Sequence, residues 1–401
     1  MGFVGQTNDQ SSMIIIFETP YDSSVAVVRY NEEYLYIKPR FSLEKGRFSY
    51  PRKLRYVFLE GNHVSIAKRY RKYAQEKGYL VPFTEKIKTR PNVDKLIGAV
   101  NVWTVGSFNI NKIKLYTEMQ SLGIERILSS GGGSISEVNY MNNNMTNILS
   151  SRYDIYQDQM DPENIIKGYV SNSTAYFYDA FPDDVIVDEN NQIITSWSVN
   201  NLSCPAGSTL EECPRVGCPV LCDLRAPEYA KKKLDKEISS GYNFTTRFID
   251  TTFASPYREC YHPDHPMTRT MSLEARIELL KEYTNRGFVV GTENGKEQAI
   301  PNCDFFEGMM SPGEYRVPNS GRDLETVFTY VPEETQYMVD ETLRIPLFEL
   351  VYHDCVISYW YWGDHNSKVI PQWDKRDLFN RLYGTPPMFL FNQTIWERYK
   401  K

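Results

Sequence analysis

The sequence has no run of 18 or more apolar residues, so no helix of a bilayer-spanning kind is expected. It opens MGFVGQTNDQSS, with neither a basic start nor an apolar signal core. The first apolar segment, Met13 to Glu18, reads as a strand entered midway through a domain of a longer protein. A soluble chain is expected, cytoplasmic or secreted with its signal outside these residues. Excess positive charge is missing too: the formal net charge is -6, and Lys and Arg are scattered rather than striped, so nucleic acid is not an expected partner. Internal repeats and low-complexity tracts are absent. The run Ser129 to Ser134 (SSGGGS) is glycine-rich, but no G-x-x-x-x-G-K-[ST] follows and no Lys is placed to meet phosphates, which disfavours a nucleotide enzyme. The cysteines lack a C-x2-C knuckle. For Cys204, Cys213, Cys218 and Cys222, a structural zinc, two disulfides and free thiols in a reducing compartment stand level.

What is present is aromatic. Tyr, Phe and Trp make up 14% of the chain, more than a packed interior needs, and their faces suit stacking on sugar rings. At 401 residues, one large domain and a smaller one are expected. Residues 13–40 alternate in hairpin fashion, so 1–45 read as the tail of an N-terminal β-sandwich. Residues 46–95 read as a linker holding one strand and a helix from His63 to Lys77, where Val64, Ile66, Ala67, Tyr70 and Tyr73 recur at helical spacing. From residue 96 to 401, short apolar strands alternate with amphipathic helices, as in a (β/α)8 (TIM) barrel. The expected strands are LIGAVNVWTV, ERILSS, YDIYQDQ, TTRFIDTT, FVVGTE, PLFELVYH and PPMFLFN, with helices at 111–122, 227–239 and 272–286. Seven strands are one too few, so either a strand is hidden or the barrel is incomplete at its C-terminus. Residues 177–224 break the rhythm and read as a loop insertion.

Barrel active sites form at the C-terminal ends of the strands. Asp250 ends TTRFID and Glu293 ends FVVGTE, a little more than one βαβ step apart, which places both on one rim. Two carboxylates on one rim are what glycoside hydrolysis needs: an anion below the sugar and a proton donor beside the leaving oxygen, about 5 to 6 Å apart in a retaining enzyme. The plainer reading, a carboxylate capping the next helix, fits the spacing equally well.

The runs FIDTTFASPYRECYHPDHPMTR, GFVVGTENGKEQAIPNCDFFEGMMSP and RIPLFELVYHDCV resemble the family 129 glycoside hydrolases and their family 101 relatives. YRKYAQEKGYL and LIGAVNVW look like the lead-in and first strand of that group. The resemblance implies hydrolysis of α-linked N-acetylgalactosamine in mucin-type O-glycans, with Asp250 as nucleophile and Glu293 as acid/base. Family members continue into a closing strand and a further β-sandwich, whereas this sequence ends FNQTIWERYKK. The competing readings are a retaining enzyme for another substrate, such as an α-galactoside, and a non-catalytic carbohydrate-binding barrel.

Other residues support a sugar site. Asp154 and Asp158, at the third strand's end, suit sugar hydroxyls or a cation. No cofactor is required by the sequence; calcium is the candidate metal, with Asp158, Asp161 and Glu163 as oxygen donors, against an exposed acidic loop as the plainer reading. His262 and His265, beside Cys260, read as a substrate-facing loop in preference to a zinc site. Trp103, His353, Trp360, Trp362, Asp364 and His365 are read as rim residues for stacking and hydrogen bonding, although Trp360 taken alone fits the core.

Overall fold

The computed structural model describes the chain except residues 9, 31–33, 105–110, 172–178, 206, 312, 321–325, 363, 365–367, 393–394 and 398–401. The alternating N-terminal segments form two antiparallel hairpins, β1 (Phe3–Thr7) with β2 (Ser11–Phe17) and β3 (Ser23–Tyr30) with β4 (Tyr34–Phe41). β5 (Leu54–Glu60) pairs with β2 along its whole length, so the linker strand extends the first sheet. Ile14 and Ile16 of β2 meet Ile66, Ala67, Tyr70 and Tyr73 of α1 (His63–Glu76), which joins this sheet to the main core. α1 starts where Asn62 accepts a hydrogen bond from the Val64 N–H, satisfying one of the helix's orphan donors.

After α2 (Phe83–Thr89) and α3 (Val93–Leu96) come β6 (Val100–Thr104), α4 (Lys112–Ser121), β7 (Ile127–Ser130), α5 (Ile135–Asn144), β8 (Ile148–Ile155) and α6 (Pro162–Ile166). The expected insertion carries an antiparallel pair, β9 (Thr195–Val199) and β10 (Val216–Pro219). Then follow α7 (Ala226–Ser239), β11 (Thr246–Asp250), α8 (Arg269–Thr284), β12 (Val289–Glu293), β13 (Phe305–Glu307), α9 (Leu347–Tyr352), β14 (Ile357–Tyr359), α10 (Trp373–Tyr383) and β15 (Met388–Phe391). The eight barrel strands form one parallel sheet in the order β14, β13, β12, β11, β8, β7, β6, β15. Each strand therefore lies beside its predecessor and β15 returns to β6, the order of a (β/α)8 barrel; among the described residues β14 and β15 are not paired, so the barrel is nearly closed.

Period-two alternation divides the strands into two faces. Trp103, Leu149, Phe248, Phe305, Tyr359 and Leu390 fill the interior, with Phe83, Val93 and Leu96 of α2 and α3 packed into the same cluster. Ile249, Val290 and Phe306 face the other way, into the core shared with α7 and α8. One interior contact depends on a missing side chain: a Cβ on Gly291 would lie 2.2 Å from the Phe305 ring, so the ring fits only against glycine.

Two strand expectations are corrected. PLFELVYH is helical, as α9, because Leu347, Leu350 and Val351 recur at i, i+3 and i+4 and pack on the core. The strands missing from the sequence reading are β13 and β14, each of three residues, too short to show a period.

Candidate active site

The C-terminal ends of β6, β8, β11, β12 and β13 open into a cavity of about 750 Å³ lined by Trp103, Tyr153, Ile155, Phe248, Asp250, Glu293 and Glu307, with Tyr361 and Trp362 following β14. The insertion contributes Ser196 and Trp197, and the loop after β11 contributes Thr251, Ser255 and Arg258. Arg258 holds the two segments together: its guanidinium donates to Gln157 Oε1 at 2.8 Å and to Ser196 Oγ at 3.2 Å.

Asp250 and Glu293, on adjacent paired strands, are in hydrogen-bond contact, closer than the 5 to 6 Å expected of a pair parted by a sugar. Asp250 also accepts from Tyr153 Oη at 2.6 Å and from the Thr251 backbone N–H. Both carboxylates end their strands at a break in regular backbone: Thr251 has φ 59° and Asn294 φ 47°, in the left-handed region that a β-branched residue such as Thr rarely adopts. Beneath the pair, Glu307 Oε1 accepts from Asn101 Nδ2 at 2.6 Å and Trp103 Nε1 at 3.1 Å. Its Oε2 is buried without a protein partner.

Burial raises all four cavity carboxyls. It is the main cause for Asp250, which the Tyr153, Thr251 and Glu293 hydrogen bonds partly offset. Glu293 is pushed up to about 7, first by burial and then by the charge of Asp250. Glu307 is pushed up to about 8 by burial, against its hydrogen bonds from Asn101 and Trp103. Asp158 is raised by burial, with a further contribution from Asp250. A close pair of this kind shares one proton near neutrality, held by the member with the higher pKa. The arrangement can therefore present an anion and a proton donor to one bond.

The structure brings together Asp250, Glu293, Trp103, Asp158 and Trp362 and disperses the other candidates. Asp154 follows Tyr153 on β8 and so faces the helix layer, buried against Lys233 at 2.6 Å and Arg247 at 3.4 Å. These cations overcome the effect of burial and hold its carboxyl below its usual range. His353 caps α9, before β14 rather than after it, at the opposite end of the barrel from the cavity. Trp360 is fully buried, donating to Asn380 Oδ1 with the Arg376 guanidinium over its ring, and Asp364 is ion-paired to the same Arg376 at 2.6 Å. His262 and His265 stack on each other 4.1 Å apart and do not line the cavity; His265 is buried against Cys260. His365 lies outside the described residues. The proposed oxygen donors do not converge: Asp161 caps α6, Glu163 pairs with Lys167 at the surface, and only Asp158 faces the cavity. Of the thiols, Cys204 and Cys213 form a disulfide, while Cys218 and Cys222 are buried.

Sequence reasoning missed Tyr153, Arg258 and Glu307. Glu307 ends FFE, a carboxylate after apolar strand residues like the other two, and would have been found had β13 been recognised.

The family of glycosyl hydrolases related to family 101, family 129, matches residues 327–401. The chain is thus similar to glycoside hydrolase family 129. Among solved structures, the α-N-acetylgalactosaminidase NagBb from Bifidobacterium bifidum in its GalNAc complex is 22% identical with a TM-score of 0.65, covering 90% of this chain and 58% of NagBb. Its ligand-free form is 21% identical, TM-score 0.67, over 90% and 60% of the two chains. The α-galactosidase TtGalA from Thermus thermophilus, in complex with stachyose, is 10% identical with a TM-score of 0.52, over 98% and 76%. The chain thus spans about three fifths of the length of the NagBb structures it matches. No curated protein matches the sequence. At these identities the likeness is one of fold, a shared barrel.

Proposed function

We propose that this chain is the catalytic barrel of a retaining glycoside hydrolase acting on α-linked sugars, with Asp250 as nucleophile and Glu293 as acid/base. The observation that carries the reading is the Asp250–Glu293 pair, two half-buried carboxyls on neighbouring strand ends, in contact across one cavity. A sugar seated against Trp103 and Trp362 parts the pair. Asp250, held by Tyr153 and the Thr251 N–H, attacks the anomeric carbon while Glu293 gives its proton to the leaving oxygen. The C–O bond breaks, a glycosyl ester forms on Asp250, and Glu293, now anionic, deprotonates the water that releases the sugar. Glu307 Oε2, unpartnered at the cavity floor, meets a sugar hydroxyl. Asp158, Asp161 and Glu163 do not fit a hard cation together, so no step is routed through calcium.

The sugar is α-linked N-acetylgalactosamine of mucin-type O-glycans, a reading supported by the family 129 match and the NagBb likeness. A panel of aryl α-glycosides tests it. Release from the α-GalNAc glycoside is expected, with α-configured product formed first. Cleavage of the α-galactoside alone would overturn the substrate and keep the mechanism. Binding of the sugars without cleavage of any would replace the enzyme by a carbohydrate-binding barrel.

A further inference from the structure

We infer that Cys222, Cys260 and His265 form a buried zinc site that ties the insertion to the loop after β11. Their ligand atoms all lie within 4.8 Å of one another, and all three residues are buried. Tetrahedral zinc with ligand bonds of roughly 2.0 to 2.3 Å puts neighbouring donor atoms roughly 3.5 to 3.8 Å apart, within that spread. The Cys260 Sγ to His265 Nδ1 separation is 3.4 Å.

The histidine is already set up as a ligand. Its Nε2 lies 2.9 Å from the Asp183 carbonyl oxygen, which can only accept, so Nε2 carries the hydrogen and Nδ1 offers its lone pair towards the thiols. Orienting an imidazole by a backbone carbonyl is the usual support of a metal-bound histidine. The backbone around Cys260 is equally fixed. Cys260 and Met267 exchange both backbone hydrogen bonds, at 2.9 and 3.0 Å, closing a short loop with His265 inside it. The Cys222 N–H donates to Asp184 O at 2.9 Å, next to the carbonyl that holds His265. The Met267 sulfur lies 3.8 Å from Cys222 Sγ and is a further soft donor.

Charge favours a divalent ion. Zinc binding displaces one proton from each thiol and leaves a neutral centre, two thiolates and a neutral imidazole around Zn²⁺, in a pocket walled by Ile186, Val220 and Met267. A monovalent ion would leave a net anion there. The site lies behind the cavity rather than in it: Cys260 is two residues beyond Arg258, and Val220, two before Cys222, bridges Asp158. Zinc would thus fix the wall that carries Arg258, Ser196 and Trp197. This inference stands apart from the proposed chemistry, because it would hold for a barrel that only binds sugar.

The test uses the whole chain, purified under reducing conditions, stripped with a chelator and re-equilibrated with zinc, then with cobalt as a spectroscopic probe. Elemental analysis is expected to find about one zinc per chain, and the cobalt form to show thiolate-to-metal charge-transfer bands of tetrahedral geometry. Cys222→Ser, Cys260→Ser and His265→Gln should each weaken zinc binding by more than about a hundredfold, whereas Cys355→Ser, a buried thiol elsewhere, should bind it normally. Because the cobalt spectrum is read on the unsubstituted chain, it decides the matter even where a variant fails to fold. No retained zinc and no charge-transfer band would overturn the inference. So would recovery of a Cys222–Cys260 disulfide from reduced, metal-supplied protein.

Discussion

The proton that Glu293 holds is the quantity the proposed mechanism depends on most. An ordinary glutamic acid titrates at 4.5, and this one is moved to about 7 by burial and by Asp250. Near pH 7 a large share of the chains therefore carries the proton, against well under about 1% for the unperturbed group, so the environment raises the reactive population by about two orders of magnitude. The sign fixes the profile: the acid form is lost as pH rises through about 7, so kcat/KM for a glycoside with a poor leaving group should fall on that side. Glu293→Gln should lower that rate by about 10² to 10⁴ and remove the alkaline limb, while sparing the first step for an activated aryl glycoside that needs little protonation. Azide should then restore turnover, attacking the ester on Asp250 from the space of the missing base and giving an α-glycosyl azide. Asp250→Asn should abolish both steps, and in that variant Glu293, relieved of its neighbour's charge, should titrate lower by NMR although burial still holds it up. The reasoning fails if Glu293→Gln keeps the alkaline limb on the poor substrate, or if Asp250→Asn cleaves a natural glycoside at near-normal rate.

Glu307 binds its proton more tightly folded than unfolded, so its contribution to stability is complete below about 4.5 and is lost as pH rises through about 8. Glu307→Gln keeps the acceptor for Asn101 and Trp103 but cannot ionise. Its Tm relative to the parent should therefore climb between pH 5 and pH 9 in calorimetry, and a difference that stays flat would refute a buried carboxyl of this kind. Asp154→Asn removes the buried charge beside Lys233 and Arg247, of which Arg247 keeps Glu237 at 2.6 Å, and should cost about 3 kcal/mol in urea unfolding while kcat/KM of the folded fraction is unchanged. Lost activity at full stability would instead return Asp154 to the sugar site.

What the sequence revealed followed from pattern length. β11 and β12 are five-residue, largely apolar strands ending in an acid, and each is visible as a unit, so the sequence alone places Asp250 and Glu293 on one rim. The same rule applied to β13 would have placed Glu307 there, but three residues carry no period, and the strand's identity depends on Gly291 making room for Phe305 from a different part of the chain. Asp154 failed for a related reason. A strand shows which residues alternate but not which set faces inward, and the deciding facts, Lys233 and Arg247, come from α7 and β11. The aromatic run after Val356 illustrates the limit: Trp360 and Trp362 are two residues apart, yet one is sealed against Asn380 and Arg376 while the other meets Trp103 in the cavity. A two-residue spacing puts both on one face only while the chain stays extended, and β14 ends at Tyr359. Beyond that point the direction of each ring is set by what α10 and the barrel mouth place beside it, which local sequence does not encode.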